Sequence, residues 1–326
     1  MNQMTITPIE GKCFGATVKQ IDLAVISDRQ FDQIKGAFLK YGFLVFPGQY
    51  LSDEQNIIFG QRFGGLEFGS LPLSNQQRNK DGSYGKIMDL KSQMMRNWLG
   101  NEAWHTDSTY MPVSSKVAML SARSVPKNGG ETELADARAG YAALDEPTKL
   151  RIEKLSAYHS VAYSQANDLG DFPELGEGLG AIFHGDAYLR PLVKVHPETG
   201  VKNLFIGRHA FGVPGLSRED SKKLIKELND FVVSDERRVY SHSWQVGDLI
   251  VWDNRSLLHR AKPYDYSQPR VLIGTRVAGD PETELAYYPE DERARLGREA
   301  LAAELALLRQ ETSDLRYKGS TARVFS

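Results

Sequence analysis

A four-residue motif at positions 104–107, Trp-His-Thr-Asp, constrains the fold more than any other stretch of the chain. On a β-strand, residues two apart point to the same face, so the side chains of His105 and Asp107 are expected to share one direction. A second apolar strand, predicted over residues 247–254, leads to His259, which could supply a second imidazole. For the three side chains to form one site, these two distant stretches must meet in the folded chain.

Two imidazoles and one carboxylate on one side of a metal are the ligands of the facial triad found in non-haem Fe(II) oxygenases, which leaves positions open for substrate and O2. The H-x-D pattern alone is weak evidence, because any histidine two residues from an aspartate matches it by chance or for structural reasons. The prediction of a metal site therefore depends on the surrounding residues.

Composition excludes several classes of protein. The formal net charge of the 326-residue chain is -2, which predicts no general attraction to nucleic acid or to an anionic membrane. The sequence shows neither a signal peptide nor an apolar run of about 18 residues, so we expect no membrane span. Cys13 is the single cysteine, which excludes an internal disulfide and favours a reducing, cytoplasmic location.

Short apolar runs separated by Gly and Pro turns predict a mainly β fold with helical insertions, either a barrel or a sandwich. Helical spacing predicts a helix over residues 28–39, and a capping box at Ser52 predicts a second one. A third, amphipathic helix is expected after Ser217. A strand is predicted over residues 158–163.

Two segments lack periodicity. Residues 69–100 are polar and are interrupted by one predicted strand over 86–90, and residues 166–180 are rich in glycine and acidic side chains. Long irregular segments in a compact domain are either functional loops or solvated ones. A lid beside the site and a plain surface loop remain equal alternatives for residues 69–100.

A helix is predicted over residues 290–310, with leucines on one side at positions 296, 301, 305 and 308. This helix could pack on its own domain or on a partner subunit, and both alternatives stay open. The leucine face exceeds what a solvated tail needs, which favours a homo-oligomer in which this helix takes part.

The residues around the metal motif make the pattern specific. Gly129-Gly130-Glu131-Thr132 follows His105, and Arg270 follows His259. An arginine near a metal site suits a carboxylate ligand, because its planar guanidinium binds both oxygens.

The combined pattern resembles the taurine dioxygenase / 2,4-dichlorophenoxyacetate dioxygenase family of Fe(II)- and 2-oxoglutarate-dependent oxygenases. The resemblance runs to about residue 280 and includes the following stretches: 14–16, 21–23, 45–49, 104–107, 128–132, 204–210 and 247–255. The phenoxyacetate-degrading branch is the more similar one, through residues 119–122 and 260–265.

The resemblance implies a double-stranded β-helix, the cupin-like jelly roll, over residues 1–280, followed by a C-terminal helical extension over 281–326. It implies that His105, Asp107 and His259 bind Fe(II), and that Arg270 and Thr132 bind the distal carboxylate of 2-oxoglutarate. Turnover with O2 would oxidise a small organic acid and release succinate and CO2. A rival function is a non-oxidising jelly-roll protein, such as a metal-dependent isomerase or a ligand-binding module.

Four residues bear on the choice of substrate. Asn101 and His209 match substrate-side residues of the two branches, each with a plain structural role as the alternative. Where those branches have a second, substrate-binding arginine, this chain has Gly274, and Arg276 follows two residues later. We therefore predict that neither taurine nor 2,4-dichlorophenoxyacetate is a good substrate, and that Arg276, Arg208 or His209 meets any substrate carboxylate. The other histidines (His159, His184, His196 and His242) are predicted to be surface or structural residues.

Overall fold

The computed structural model describes residues 4–176, 182–287 and 294–317, the last three of these by their backbone only. The strands are Thr5–Pro8 (β1), Ala16–Lys19 (β2), Phe43–Phe46 (β3), Leu66–Ser74 (β4), Gln76–Arg78 (β5), Tyr84–Ile87 (β6), Val117–Ser124 (β7), Thr132–Asp136 (β8), Ser156–His159 (β9), Tyr188–Pro191 (β10), Val193–Val195 (β11), Lys202–Leu204 (β12), Ala210–Phe211 (β13), Val239–His242 (β14), Leu249–Asp253 (β15), Leu257–Ala261 (β16) and Val271–Val277 (β17). The helices are Asp28–Tyr41 (α1), Asp53–Gln61 (α2), Gln93–Leu99 (α3), Ala137–Ala143 (α4), Glu146–Ile152 (α5), Val161–Leu169 (α6), Arg218–Val233 (α7), Pro281–Glu284 (α8) and Ala294–Tyr317 (α9).

Two sheets face each other across an apolar interior, which confirms the jelly roll with helical insertions. The larger sheet has the order β1-β2-β3-β15-β7-β17-β4, and the smaller one has the order β14-β8-β16. Trp252 and Leu272 of the larger sheet pack with Leu134 and Leu257 of the smaller one. Inward and outward residues alternate along such strands, so the interior surface is defined by every second side chain.

Helices cover the outer faces of both sheets. Helices α1 and α2 bury Ile34 and Phe59 against the larger sheet, and α4 and α7 pack beside the smaller one. The predicted capping box is confirmed: the Ser52 hydroxyl accepts from the Gln55 amide at 3.1 Å, and the Gln55 side chain accepts from the Ser52 amide. The helix predicted after Ser217 is α7, which Ser217 caps.

The prediction of an irregular segment over residues 69–100 is wrong. This segment holds most of β4, the β5–β6 hairpin and α3, and β4 is an edge strand that pairs with β17. Its alternation is hidden because both of its faces are only half-buried, and Pro72 is tolerated because an edge strand has a free side. Likewise β9 ends at His159 and α6 begins at Val161, so the strand predicted over residues 158–163 is mostly helical.

The loop predicted over residues 166–180 begins inside α6, and its last four residues lie outside the described ones. The first four residues of the helix predicted over 290–310 are also outside them, and α9 extends to Tyr317. Both α8 and α9 pack on the jelly roll: Glu284 is buried and forms an ion pair with Lys194. The division of the chain at residue 280 stays a prediction.

Candidate active site

The two predicted histidines meet through the main chain. His105 and His259 form an isolated antiparallel bridge, in which the His105 amide donates to the His259 carbonyl at 3.0 Å and the reverse bond measures 2.8 Å. The prediction that His105 and Asp107 lie on one regular strand is wrong, because Asp107 lies in a turn. The bridge to β16, rather than strand periodicity, brings the three side chains together.

The three side chains form a compact group of possible metal ligands. One atom from each of His105, Asp107 and His259 lies within 4.8 Å of the others, and all three residues are buried. The Asp107 Oδ2 atom lies 3.5 Å from His259 Nε2, and Oδ1 lies 3.9 Å from His105 Nε2. His105 Nδ1 lies 2.8 Å from the Ala103 carbonyl, so its proton is held there and Nε2 keeps its lone pair for a metal.

Burial sets the charges that a metal would meet. It lowers the pKa of His259 to about 3, and it also lowers the pKa of His105. Burial alone would raise the pKa of Asp107, but the Arg276 guanidinium and the two imidazoles outweigh it and lower that pKa. Two neutral imidazoles and one carboxylate result, which are the protonation states that metal binding needs and a donor set that suits Fe(II).

Asn254 fixes the backbone of the carboxylate ligand. Its side-chain amide accepts from the Asp107 amide at 3.0 Å and donates to the Asp107 carbonyl at 2.9 Å and the Ser115 carbonyl at 3.0 Å. Trp252 packs on the His259 ring at a centroid distance of 4.7 Å. The turn that Asn254 holds therefore carries a candidate metal ligand.

Arg270 and Thr132 lie at the other end of the interior. The Arg270 Nε atom donates to the Gly130 carbonyl at 3.1 Å, and among the described residues its two terminal nitrogens have no hydrogen-bond partner. The Thr132 hydroxyl accepts from the Trp244 indole at 3.0 Å, which leaves its own hydrogen free to donate. Arg270 is 8% exposed, so its guanidinium is a fixed, largely dry cation.

The segment before β17 closes over Arg270. Asn75 accepts from the Arg270 amide at 2.8 Å and donates to the Tyr266 and Gln268 carbonyls. The Tyr266 hydroxyl also donates to Glu102. Burial raises the pKa of Glu102 to about 7, although the Arg260 and Arg270 charges oppose that shift. Arg270 is thus framed by two strands, β4 and β17, and by the short 3-10 turn that carries Glu102.

Arg276 reaches the metal ligands from β17. Its Nη2 atom lies 2.6 Å from Asp107 Oδ1, its Nη1 donates to the Ser108 hydroxyl at 3.1 Å, and its guanidinium covers the Phe68 ring at 4.7 Å. A Cβ atom at Gly274 would make ordinary contacts, 3.4 Å from the Leu71 carbonyl oxygen and 3.7 Å from the Leu120 side chain. Gly274 and Arg276 lie two residues apart on β17 and therefore share one face of the strand, whereas Arg270 precedes it.

Three polar residues at this end were not predicted. Glu67 accepts hydrogen bonds from the Ser108 hydroxyl at 2.8 and 2.9 Å and lies 3.8 Å from Arg276. Burial raises the pKa of Glu67 despite the opposing effect of Arg276. Ser108 has a φ of 54°, an uncommon conformation for a residue with a side chain. Tyr110, also bonded to Arg276, has its pKa raised to about 12 by burial.

His209 lies beside the metal ligands. Its ring is 5.8 Å from the His105 ring and 4.8 Å from the Tyr110 ring. The Ser164 hydroxyl donates to the Val161 carbonyl and lies 2.9 Å from His209 Nδ1, so it accepts the Nδ1 proton. Burial holds the pKa of His209 well below its ordinary value, which leaves a neutral ring with a lone pair on Nε2.

The other predicted substrate residues are Arg208 and Asn101. Arg208 is already paired, since its Nε donates to Asp168 at 2.7 Å and its Nη2 donates to Gln165 at 2.8 Å. Asn101 is half-buried in the 3-10 turn that contacts β16. Both lie on the side of the site that α6 faces.

The remaining histidines were predicted to be structural or surface residues, and all four are buried or half-buried. His159 differs from the other three in its hydrogen bonding. His196 and His242 are buried and bonded to Asp253 and Asp248 at 2.8 and 3.1 Å. His184 is half-buried. His159 is fully buried, neither of its ring nitrogens has a partner among the described residues, and burial lowers its pKa to about 3.

The described helices include none that is long and apolar enough to cross a membrane. Residues 5–276 match the family described as taurine catabolism dioxygenase TauD, TfdA family. Residues 294–317, which form α9, lie outside this match.

Three similar proteins are informative. An (S)-phenoxypropionate/alpha-ketoglutarate-dioxygenase of Sphingobium herbicidovorans is 46% identical over 86% of this chain and 97% of its own length. An alpha-ketoglutarate-dependent 2,4-dichlorophenoxyacetate dioxygenase of Cupriavidus pinatubonensis is 36% identical over 79% of this chain and 92% of its own. The crystal structure of AAD-2 in complex with Mn(II) and N-oxalylglycine is 36% identical, with a TM-score of 0.78 over 85% of this chain and 98% of that one.

Proposed function

Because this chain belongs to the TauD/TfdA family and is an Fe(II)- and 2-oxoglutarate-dependent dioxygenase of small organic acids, we propose that its substrate is an aryloxy carboxylic acid of the 2-phenoxypropionate type. Its cosubstrates are 2-oxoglutarate and O2, and its products include succinate and CO2. A non-oxidising jelly-roll protein is not favoured, because such a protein has no need for a pair like Arg270 and Thr132.

We propose that His105, Asp107 and His259 hold the iron. The supporting observation, which carries the proposal as a whole, is the buried group of three ligand atoms within 4.8 Å of one another, with both imidazoles neutral. Bound ferrous iron supplies the activation of O2 that C–H oxidation requires. The chain orients the ligands through Ala103 and Asn254, as described above.

We propose that Arg270 and Thr132 bind the distal carboxylate of 2-oxoglutarate. The Gly130 carbonyl fixes the plane of the Arg270 guanidinium, so its two terminal nitrogens can donate in parallel to both carboxylate oxygens. The Thr132 hydroxyl, which accepts from Trp244, has one hydrogen left to donate. A bidentate contact of this kind inside a dry pocket is strong, because both partners are already desolvated.

Arg276 is proposed to meet the carboxylate of the substrate, with the neutral ring of His209 lining the pocket beside it. The aromatic rings of Phe68 and Tyr110 lie near the Arg276 guanidinium and suit an aryl group. Asn101 and Arg208 are proposed to act from the α6 side. For Arg208 this is support of the pocket wall, since its guanidinium is occupied by Asp168 and Gln165.

The test is a side-by-side assay of succinate formation with (S)-2-phenoxypropionate, 2,4-dichlorophenoxyacetate and taurine. We expect the phenoxypropionate to have the highest kcat/KM, since Gly274 has no side chain where the two branches have an arginine. Efficient turnover of either other acid, at the level of a native substrate, would contradict the predicted selectivity. No stimulation by any aryloxy acid would contradict the substrate class.

Two coarser proposals remain. A cytoplasmic location rests on the lone Cys13. For a homo-oligomer through α9, fewer leucines are available than the sequence predicted, because Leu301, Leu305 and Leu308 are buried in their own domain. Leu296 and Leu307, 45% and 44% exposed, remain for a contact, and a concentration-independent monomer in light scattering would rule it out.

A further inference from the structure

Helix α9 packs on the layer that backs the substrate side of the active site. Its Leu301, Leu305 and Leu308 are buried against a set of residues from α6, β9, β10, β13 and the segment before β10, namely Tyr158, Tyr163, Ala166, Ala187, Leu189 and Phe211. Two ion pairs of Arg218, with Glu304 at 2.8 Å and Glu311 at 2.6 Å, join α9 to α7. The helix is therefore fixed on its own domain.

The approach of α9 to the segment before β10 is unusually close. A Cβ atom at Gly297 would lie 2.2 Å from the Ala187 carbonyl oxygen, which no real side chain tolerates. Arg298 adds an ion pair with Asp186 at 3.2 Å. A glycine is required at this point of the helix because backbone touches backbone.

The opposite side of α6 faces the active site. Its Ser164 holds His209 Nδ1, and its Gln165 and Asp168 hold the Arg208 guanidinium. The first residue of α6, Val161, packs with Tyr110 and with Phe183, and we call these three residues the aromatic wall. Because Tyr110 and His209 touch each other, the wall and the histidine form one surface beside His105.

A helix of nine residues cannot hold this geometry by itself. Isolated helices shorter than about 12–15 residues are marginal in water, so α6 depends on the packing of both its faces. One face carries Tyr163 and Ala166, and α9 covers them. Without that cover, the ring of Tyr163 would face water and the register of Ser164 with His209 would loosen.

We propose that α9, which lies outside the family match, is a positioning element for the substrate: it holds α6 and the aromatic wall so that His209 and Tyr110 keep a bound acid in line with the iron ligands. This rests on the proposed function. Iron and 2-oxoglutarate are held by residues that do not contact α9, so the effect is confined to the substrate. When a misplaced substrate escapes oxidation, 2-oxoglutarate is still consumed, and the two electrons that the substrate would have supplied come from a reductant added to the assay, such as ascorbate.

The experiment uses the full chain with Fe(II) and two variants of α9, Gly297→Ala and Leu305→Ala. The first places a methyl group against the Ala187 carbonyl, and the second opens a cavity under α6. Matched controls are Gly36→Ala, at an exposed helical glycine with nothing within 4 Å, and Leu307→Ala, at an exposed leucine of the same helix.

We expect both α9 variants to raise the substrate KM, to lower kcat/KM roughly tenfold, and to lower the ratio of substrate oxidised to succinate formed. The KM for 2-oxoglutarate and the anaerobic absorbance band of the Fe(II)–2-oxoglutarate chelate should match those of the unaltered chain, as should every parameter of the controls. An unchanged coupling ratio in both folded α9 variants overturns the proposal. A parallel loss of the chelate band also overturns it, since the effect would then be a general loss of structure.

Hydrogen exchange of the α6 amides separates this inference from the proposed function. Faster exchange in the α9 variants, with the controls unchanged, supports the positioning role even where the aryloxy acid tested proves not to be a substrate. Equal exchange in variants and controls contradicts it. Failure of the unaltered chain to oxidise any aryloxy acid contradicts only the proposed substrate class.

Discussion

The two ends of the interior are built in different ways. At the cosubstrate end, His259 is on β16, Thr132 begins β8 and Arg270 immediately precedes β17, so the functional side chains come from strands or from their ends. At the substrate end, Ser108, Tyr110 and His209 lie on turns that are held by α6 and by Glu67. His259 and the proposed cosubstrate clamp are thus positioned by strands, whereas Asp107 and the proposed substrate residues lie on turns that side chains must hold in place.

Loss of a metal ligand should have the largest effect. His259→Ala removes one of three candidate ligands from a buried site, and among the described residues these three form the single group of this kind. We expect 2-oxoglutarate turnover to fall to background while the fold is kept, as measured by succinate release and circular dichroism. His184→Ala, at a half-buried ring, is the control. Full turnover by His259→Ala would falsify the assignment of the triad and would contradict the contrast between the cosubstrate end and the substrate end.

Loss of the arginine clamp should come next. Arg270→Ala leaves a dicarboxylate without its bidentate partner, which should weaken 2-oxoglutarate binding by roughly 2–5 kcal/mol. The apparent KM for 2-oxoglutarate measures this, and the substrate KM should change far less. Arg260→Ala is the matched control, since that side chain pairs with Glu133 and covers Trp104. An unchanged KM for 2-oxoglutarate would assign its carboxylate to Arg276 instead. Cosubstrate and substrate would then be bound at the same end of the interior.

A smaller effect is expected at the substrate end. Glu67→Gln keeps a hydrogen-bond acceptor for Ser108 but removes the negative charge that lies 3.8 Å from Arg276. Since an ion pair of this kind is worth on the order of 1 kcal/mol, the substrate KM for an anionic acid should fall roughly fivefold. The KM for 2-oxoglutarate should not change. A change in both KM values would show that the two ends are not independent.

The smallest effect concerns pH. The pKa of Glu102 is raised to about 7 by burial, so folding favours its protonated form. Its contribution to stability is fully present below the ordinary pKa of a glutamate and is lost as pH rises through 7. The melting temperature of the unaltered chain should therefore fall, relative to that of Glu102→Gln, between pH 5 and pH 8. If the two melting temperatures changed in parallel across this range, the result would contradict a raised pKa of Glu102 in the folded chain.

The same contrast explains what could be predicted from the sequence. His105, Asp107, His259 and Arg270 were identifiable because strand ends and fixed residue types leave a pattern in the chain. The sequence predicted that these side chains meet because His105 and Asp107 share a strand, which is wrong. The bridge between His105 and His259 brings the two chain segments together instead. Such a bridge depends on pairing across the fold, which no local periodicity records.

Glu67, Ser108 and Tyr110 left no comparable pattern. Glu67 lies at the start of the edge strand β4, whose half-buried faces hide its alternation. The positive φ of Ser108 is a property of the folded turn, and glycine is the residue that would have signalled it. Tyr110 becomes informative only once its contacts with Arg276 and His209 are known. The proposed substrate residues are therefore recognisable only from their tertiary contacts.

The hydrogen bonds of the Asn254 side chain limit the substitutions that this position can accept. Its amide group donates to two carbonyls, at 2.9 and 3.0 Å, one of them on Asp107, the proposed carboxylate ligand. Asparagine and aspartate codons differ by a single nucleotide, and the two side chains have nearly the same shape. That one exchange would replace the donor by an oxygen and turn two attractions into two repulsions at an almost fully buried side chain. A substitution that most sequence comparisons score as mild is thus, at this position, among the most damaging open to the chain.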